Sequence, residues 1–253
     1  MLVVVSPAKK LDFDMPAPTK TFTQLTELER SKLLIKELKK CNAKEISNLM
    51  KLSDSLTELN IKRYKEFKTP FNLKNAKQAI FAFKGDTYVG LDAETMRESD
   101  IQYAQEHLRI LSGLYGLVCP LDLIQPYRLE MGTKFPCNGN KNLYEFWGET
   151  ITQKLNPILK KEKFLINLAS KEYFSAIKTK DLDAKIITPM FKEKKGDEFK
   201  MVGFFAKKAR GMMSRYIIDN RIKNPKDLLK FDVDGYKYNK KLSTDFEPTF
   251  TRS

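Results

Sequence analysis

Four apolar residues in a row, Leu2-Val3-Val4-Val5, limit most narrowly what this chain can fold into. A strand with one wet face alternates apolar and polar side chains. A continuous run that stops at Ser6-Pro7 instead reads as a strand buried in a sheet and leading into a loop. Gln78–Phe83 and Phe164–Leu168 read as buried strands on the same grounds, and Lys185–Phe191 with Phe199–Phe205 as a hairpin about Lys195-Gly196.

Helical patterns lie between these runs. Leu25, Leu28, Leu34, Ile35 and Leu38 recur at helical spacing over 24–40, a second helix covers 43–51, and Ser53 or Asp54 offers a cap for a third. Ser99 with Gln102 suggests a capping box for a helix running through Leu111 and stopped by Gly113 and Gly116. A long helix is expected over 142–161, kinked or restarted at Pro157, and another over 209–222. Asp12–Thr21 reads as irregular, as do 84–98 and 112–142, which are long enough to be functional or to hide short elements. Strands and helices interleave with no linker or repeat. We therefore expect a single α/β (mixed α+β) domain over 1–253, a mixed central sheet flanked by helices, with a weakly structured tail from about 236.

The charge is uneven: 46 Lys and Arg against 32 Asp and Glu give a formal net charge of +14. Lysines that merely solvate the surface explain part of this excess; a polyanionic partner explains it more fully. Cys41, Cys119 and Cys137 lie far apart with no CxxC, which disfavours a disulfide framework. No apolar run is long enough for a signal peptide or a membrane span, so a cytoplasmic protein is expected. No Walker loop, GxGxxG, GxSxG or HExxH occurs, and the lone His107 falls inside a helix, so neither a metal nor a cofactor is implied.

Four junctions end in basic or polar groups: Ser6–Lys10, Lys84–Asp86, Ser170–Glu172 and Lys207–Gly211. Each alone reads as a solvated turn. If they share an edge of the sheet, Lys9, Lys84, Lys207, Lys208 and Arg210 line one basic cleft. Between Lys192 and Arg215 eight basic side chains face three acidic ones, and a glycine-bearing turn feeding a helix there suits a phosphate. Arg215 joins that set, and Tyr115 and Tyr127 are candidates for stacking on bases. Leu111–Gly116 and the break within 43–67 are two candidates for a helix-hairpin-helix-like element. Arg128 and Glu130 in Pro126–Gly132, with Asp86, offer acid–base chemistry at a base or sugar, against the plainer reading of an ion pair that orders a loop.

In their order, Ser6-Pro7-Ala8-Lys9, Phe83–Asp86, Leu111–Gly116, Pro126–Gly132, Asn167–Ser170 and Ala206–Gly211 resemble the YaaA family of peroxide-stress resistance proteins, from Met1 to about Gly235. That resemblance implies a cytosolic bacterial protein that protects against hydrogen peroxide and iron-associated damage. It also implies a one-domain α/β fold with a basic cleft, a helix-hairpin-helix-like element and DNA as partner. It carries over no catalytic residues. Two functions stand open: a DNA-binding protein of the peroxide response, or an enzyme acting on a nucleic-acid base or nucleotide through Asp86, Glu130 and Arg128.

Overall fold

The computed structural model describes residues 1–253. After β1 (Leu2–Val5) and the short β2 (Lys10–Leu11) come three helices, α1 (Leu28–Leu38), α2 (Ala43–Met50) and α3 (Asp54–Glu66). α2 opens with a capping box not foreseen from sequence. The Glu45 N–H donates to Asn42 Oδ1 at 3.0 Å, and the Asn42 N–H donates back to the Glu45 carboxylate at 2.8 Å. Together these satisfy two of the donors a helix start leaves open. Ser53 caps α3, and Lys51, left-handed at φ 52°, makes the reversal between the two helices.

The expected strand 78–83 is not one. β3 (Lys77–Gln78) and β4 (Phe83–Lys84) bracket a buried helical turn, α4 (Ala79–Ala82). A short run with no polar residue carries no period, so only its neighbours choose the conformation. Here the Ala79 and Ile80 N–H groups bond to the Asp122 and Pro120 carbonyls instead of a strand ladder. The stretch 84–98 holds α5 (Asp86–Leu91).

α6 (Glu98–His107) begins not with the expected Ser99–Gln102 box but with the Asp100 carboxylate, which accepts from the Arg97 backbone N–H and, at 2.9 Å, from its Nε. It also stops a turn early: Leu108–Ser112 is β5, fully buried, and turns at 113–115 into β6 (Gly116–Val118). Pairing with β1 outweighs the helical tendency of these residues. β7 (Leu123–Ile124) then pairs with β3. The expected long helix after Asn142 is two, α7 (Leu143–Trp147) and α8 (Thr150–Glu162), parted at Gly148 with φ 47°, whereas Pro157 is carried within α8.

β8 (Phe164–Leu168), the short α9 (Lys171–Phe174) and β9 (Lys185–Ile187) complete the larger sheet, ordered β6-β5-β1-β8-β9. β1 lies at its centre, parallel to β5 and β8, with Val5 beside Ile110 and Leu168. The hairpin about Gly196 forms between β10 (Met190–Lys195) and β11 (Glu198–Lys200), shorter than expected, since Lys185–Ile187 joins the other sheet. From Gly203 the chain is already helical: α10 (Gly203–Asp219) starts six residues before the expected position.

The tail, expected to be weakly structured, supplies β12 (Lys237–Tyr238) and β13 (Thr249–Arg252). β13 runs parallel to β10, and Phe250 stacks on Phe191 at 5.6 Å within a buried cluster that includes Phe231 and Tyr236. Its polar composition hid two fully buried anchors, Tyr236 and Phe250. One mixed α/β domain with a continuous core results. No helix is long and apolar enough to cross a membrane.

Candidate functional site

Because β1 and β8 are adjacent and parallel, their carboxyl ends bring Ser6 and Ser170 together. The Ser170 N–H donates to Ser6 Oγ at 2.8 Å, and the two hydroxyls lie 3.3 Å apart. The neighbouring Ser6–Lys10 and Lys84–Asp86 segments meet through the β2–β4 ribbon, where Lys10 is opposite Lys84, and through Gly85, whose Cα faces the Ala8 methyl. A methyl on Gly85 would sit 3.2 Å from that Ala8 carbon. Three of the four expected junctions thus share one region. The third also reaches the 126–132 loop, since Glu172 accepts from the Gly132 N–H at 2.9 Å.

Two acids at this edge hold cations at their carboxylates, Asp12 one and Glu130 two. Asp12 Oδ2 accepts from Lys84 Nζ at 2.8 Å, while the buried Lys77 ammonium donates to the Asp12 carbonyl at 3.0 Å. Lys84 first, then the Met15 N–H, holds the Asp12 carboxyl down at about 2. Glu130 pairs with Lys9 at 2.7 Å and with Arg128 at 2.8 Å. Asp12 and Lys77 escaped sequence reading because nothing in their spacing marks them; only the ribbon pairing brings them to Lys84. Asp86 opens α5, half-buried and with no side-chain hydrogen bond.

The loop that carries Arg128 and Glu130 is held from behind by aromatic hydroxyls. Tyr127 Oη and Ser112 Oγ lie 2.6 Å apart, and Tyr115 Oη donates to the Gln125 carbonyl at 3.0 Å. Tyr64 donates to the Arg128 carbonyl. Tyr115 and Tyr127, expected to offer rings to bases, are buried at 0% and 6% exposure, so neither ring face is open. Gly113 lets the loop approach: a methyl there would lie 2.3 Å from the Leu129 carbonyl oxygen. Leu111–Gly116 is therefore a strand-turn-strand packing device, and of the two segments weighed for a helix-hairpin-helix only α2–α3 joins two helices.

The fourth junction is not a strand end. Lys207, Lys208 and Arg210 lie within α10, past its first turn, so the expected glycine turn feeding a helix is absent there. α10 crosses α5 at two glycines with almost no separation. A methyl on Gly211 would fall 1.8 Å from the Thr87 carbonyl oxygen, and one on Gly90 would fall 2.1 Å from that of Lys208. This crossing sets Arg210 beside the start of α5. Lys207 is exposed, and Lys208 pairs with Asp234 at 3.2 Å. Arg215 is taken up internally by Asp219, the Asp92 carbonyl and Thr95 Oγ1, and so ties α10 to the end of α5. Arg210 differs from all of these. Its guanidinium is half-buried and has no ion-pair partner, and burial alone pushes its pKa down.

No group of three or more His, Cys, Asp or Glu side chains is placed to hold a metal ion. His107 ends α6, with Nδ1 3.2 Å from the Met1 carbonyl oxygen and its ring against Tyr103. The three cysteines are free.

A family model described as peroxide stress protein YaaA matches residues 1–242. A UPF0246 protein of Shewanella loihica is 52% identical over 254 residues, which cover 100% of this chain and 98% of the relative. UPF0246 proteins of Colwellia psychrerythraea and Shewanella halifaxensis are 52% and 51% identical, each over 100% of this chain and 99% of their own length.

Proposed function

The chain belongs to the peroxide stress protein YaaA family, and from that premise we propose that it serves the peroxide stress response by holding DNA, through phosphate contacts at the edge built by β1, β8, the β2–β4 ribbon and α10. Family membership supports the role in peroxide stress. The DNA partner rests on charge and geometry.

The observation that carries it is Arg210. A half-buried guanidinium without an acid is costly unless an anion arrives to compensate it. Elsewhere at the edge, Glu130 is shared between Lys9 and Arg128, which leaves Lys9 partly uncompensated, and Lys84 and Lys207 are exposed to phosphate oxygens. α2–α3 is a second point of phosphate contact in this reading, with Lys51 at the reversal where such hairpins use glycine. Arg215 acts indirectly, by locking α5 onto α10.

A second reading keeps one specific support. The paired Ser6 and Ser170 hydroxyls, the Arg128–Glu130 pair and the unpartnered Asp86 are more than phosphate contact needs, and suit acid–base chemistry on a bound nucleotide. Two variants of the full chain separate the readings. Replacing Lys207, Lys208 and Arg210 together by Ala should weaken duplex binding and shrink the salt slope by about one unit per lost phosphate contact. Asp86→Asn with Glu130→Gln should bind duplex as well or better, because Lys9 and Arg128 are released, and should still protect cells from peroxide. A folded, DNA-binding double variant that no longer protects would replace the binder with the enzyme.

A further inference from the structure

The hairpin β10–β11 and the first turn of α10 present a surface of a different kind. Met201, Phe204 and Phe205 are exposed at 45%, 59% and 38% within five residues. Lys194, Lys195 and Lys207 are exposed beside them in the chain, and none makes an ion pair. Lone exposed apolar residues need no explanation; two aromatic rings and a methionine set among free cations do.

The rings are also braced. Arg252 lies over the Phe205 ring at 4.7 Å and is itself held by Glu193 at 2.9 Å and Asp234 at 2.8 Å. Phe205 meets Phe204 edge-on, with centroids 5.4 Å apart and planes at 73°. A relay of three contacts therefore props the more exposed ring outward. Little side-chain freedom is left for a ligand to remove.

We propose that Phe204 is a stacking platform for an unpaired base, with Lys194, Lys195 and Lys207 gripping the flanking phosphates of a single-stranded segment. The inference rests on the DNA-binding reading, since Lys207 belongs to both surfaces, and narrows it to DNA with unstacked bases. Within a duplex each base face is covered by its neighbour, so a protein ring finds a free face only where the strands have parted. Free lysines on the adjoining hairpin and on α10 match a polyanion and disfavour a second copy of the same surface.

The test compares a labelled oligothymidylate with a labelled, fully paired hairpin duplex, using the full chain and Phe204→Ala, Phe204→Trp and Lys207→Ala variants. Phe204 is exposed, so these variants should fold. Phe204→Ala should weaken oligothymidylate binding about tenfold and leave the duplex within about twofold; Phe204→Trp should restore it, and Lys207→Ala should weaken both. Equal loss on both probes, or no loss on the single strand, overturns the platform while leaving duplex binding intact. Failure of the wild-type chain to bind the duplex at all removes the DNA-binding reading itself, and this inference with it. Phe204-dependent capture by vesicles of anionic phospholipid, or self-association abolished by Phe204→Ala, with an oligothymidylate affinity indifferent to the ring, assigns the patch to a membrane or a second copy and likewise overturns it.

Discussion

Arg210 can be told apart from an arginine kept for packing by measuring stability and affinity on the same variant. Its cation is desolvated with no acid beside it, so Arg210→Met, which keeps most of the volume, should leave the urea midpoint unchanged or raise stability by about 1 kcal/mol. DNA affinity should fall in that variant. A destabilised Arg210→Met with normal affinity would make the residue structural. The acids report on pH instead. Asp12 is held at about 2 chiefly by Lys84, and Asp100 at about 2 chiefly by Arg97, with Arg221 also bonded to it. Unfolded aspartates take up protons near pH 4, so both groups favour the fold fully above about pH 4 and lose that contribution as pH falls through about 2. Asp100→Asn should therefore cost roughly 2 kcal/mol at neutral pH. The gap between variant and parent should close in urea titrations at the acid end, and a gap independent of pH would refute the assignment.

At the scale of elements, the crossing of α5 and α10 is the most sensitive joint. Ala is the better helix former by about 1 kcal/mol, yet at Gly211 its methyl would meet the backbone of α5 at 1.8 Å, which no rotamer change relieves. Gly211→Ala should lose about 2 kcal/mol net, and it should also weaken DNA binding by shifting α10, which carries Arg210, away from α5. Gly203→Ala on the same helix faces open space and should be neutral or slightly stabilising. Thermal melts of the two variants give the comparison directly. These elements also show what a linear reading can reach. Residues 2–5 and 164–168, with α1, α2 and α3, were legible because a long period or a continuous apolar run followed by a clear stop marks them. Leu108–Ser112 was not, since no glycine or proline separates it from α6 and only β1 tells it to be a strand. The site was legible in the same uneven way. Lys9, Lys84, Arg128 and Glu130 stood out at turns, and three junctions do meet. The partners Asp12 and Lys77, and the burial of Tyr115 and Tyr127, depend on pairings made across tens of residues. Phe204 and Phe205 looked like the end of a strand, and only α10 turns them outward.

For the whole molecule, a net charge of +14 on one domain predicts that salt governs binding. If roughly four to six phosphates are neutralised, log affinity for duplex DNA should fall against log salt with a slope of about −4 to −5. Anisotropy titrations across a range of salt would check this, and a flat response would exclude the phosphate mechanism. The position of β1 at the centre of the larger sheet bears on how the molecule is made. Leu2–Val5 lies between two strands, one beginning at Leu108 and the other at Phe164. Translation at about 5–20 residues per second leaves this most apolar of the strands without both neighbours for on the order of ten seconds or more. Until both neighbours have been made, this apolar run has no complete sheet in which to bury itself.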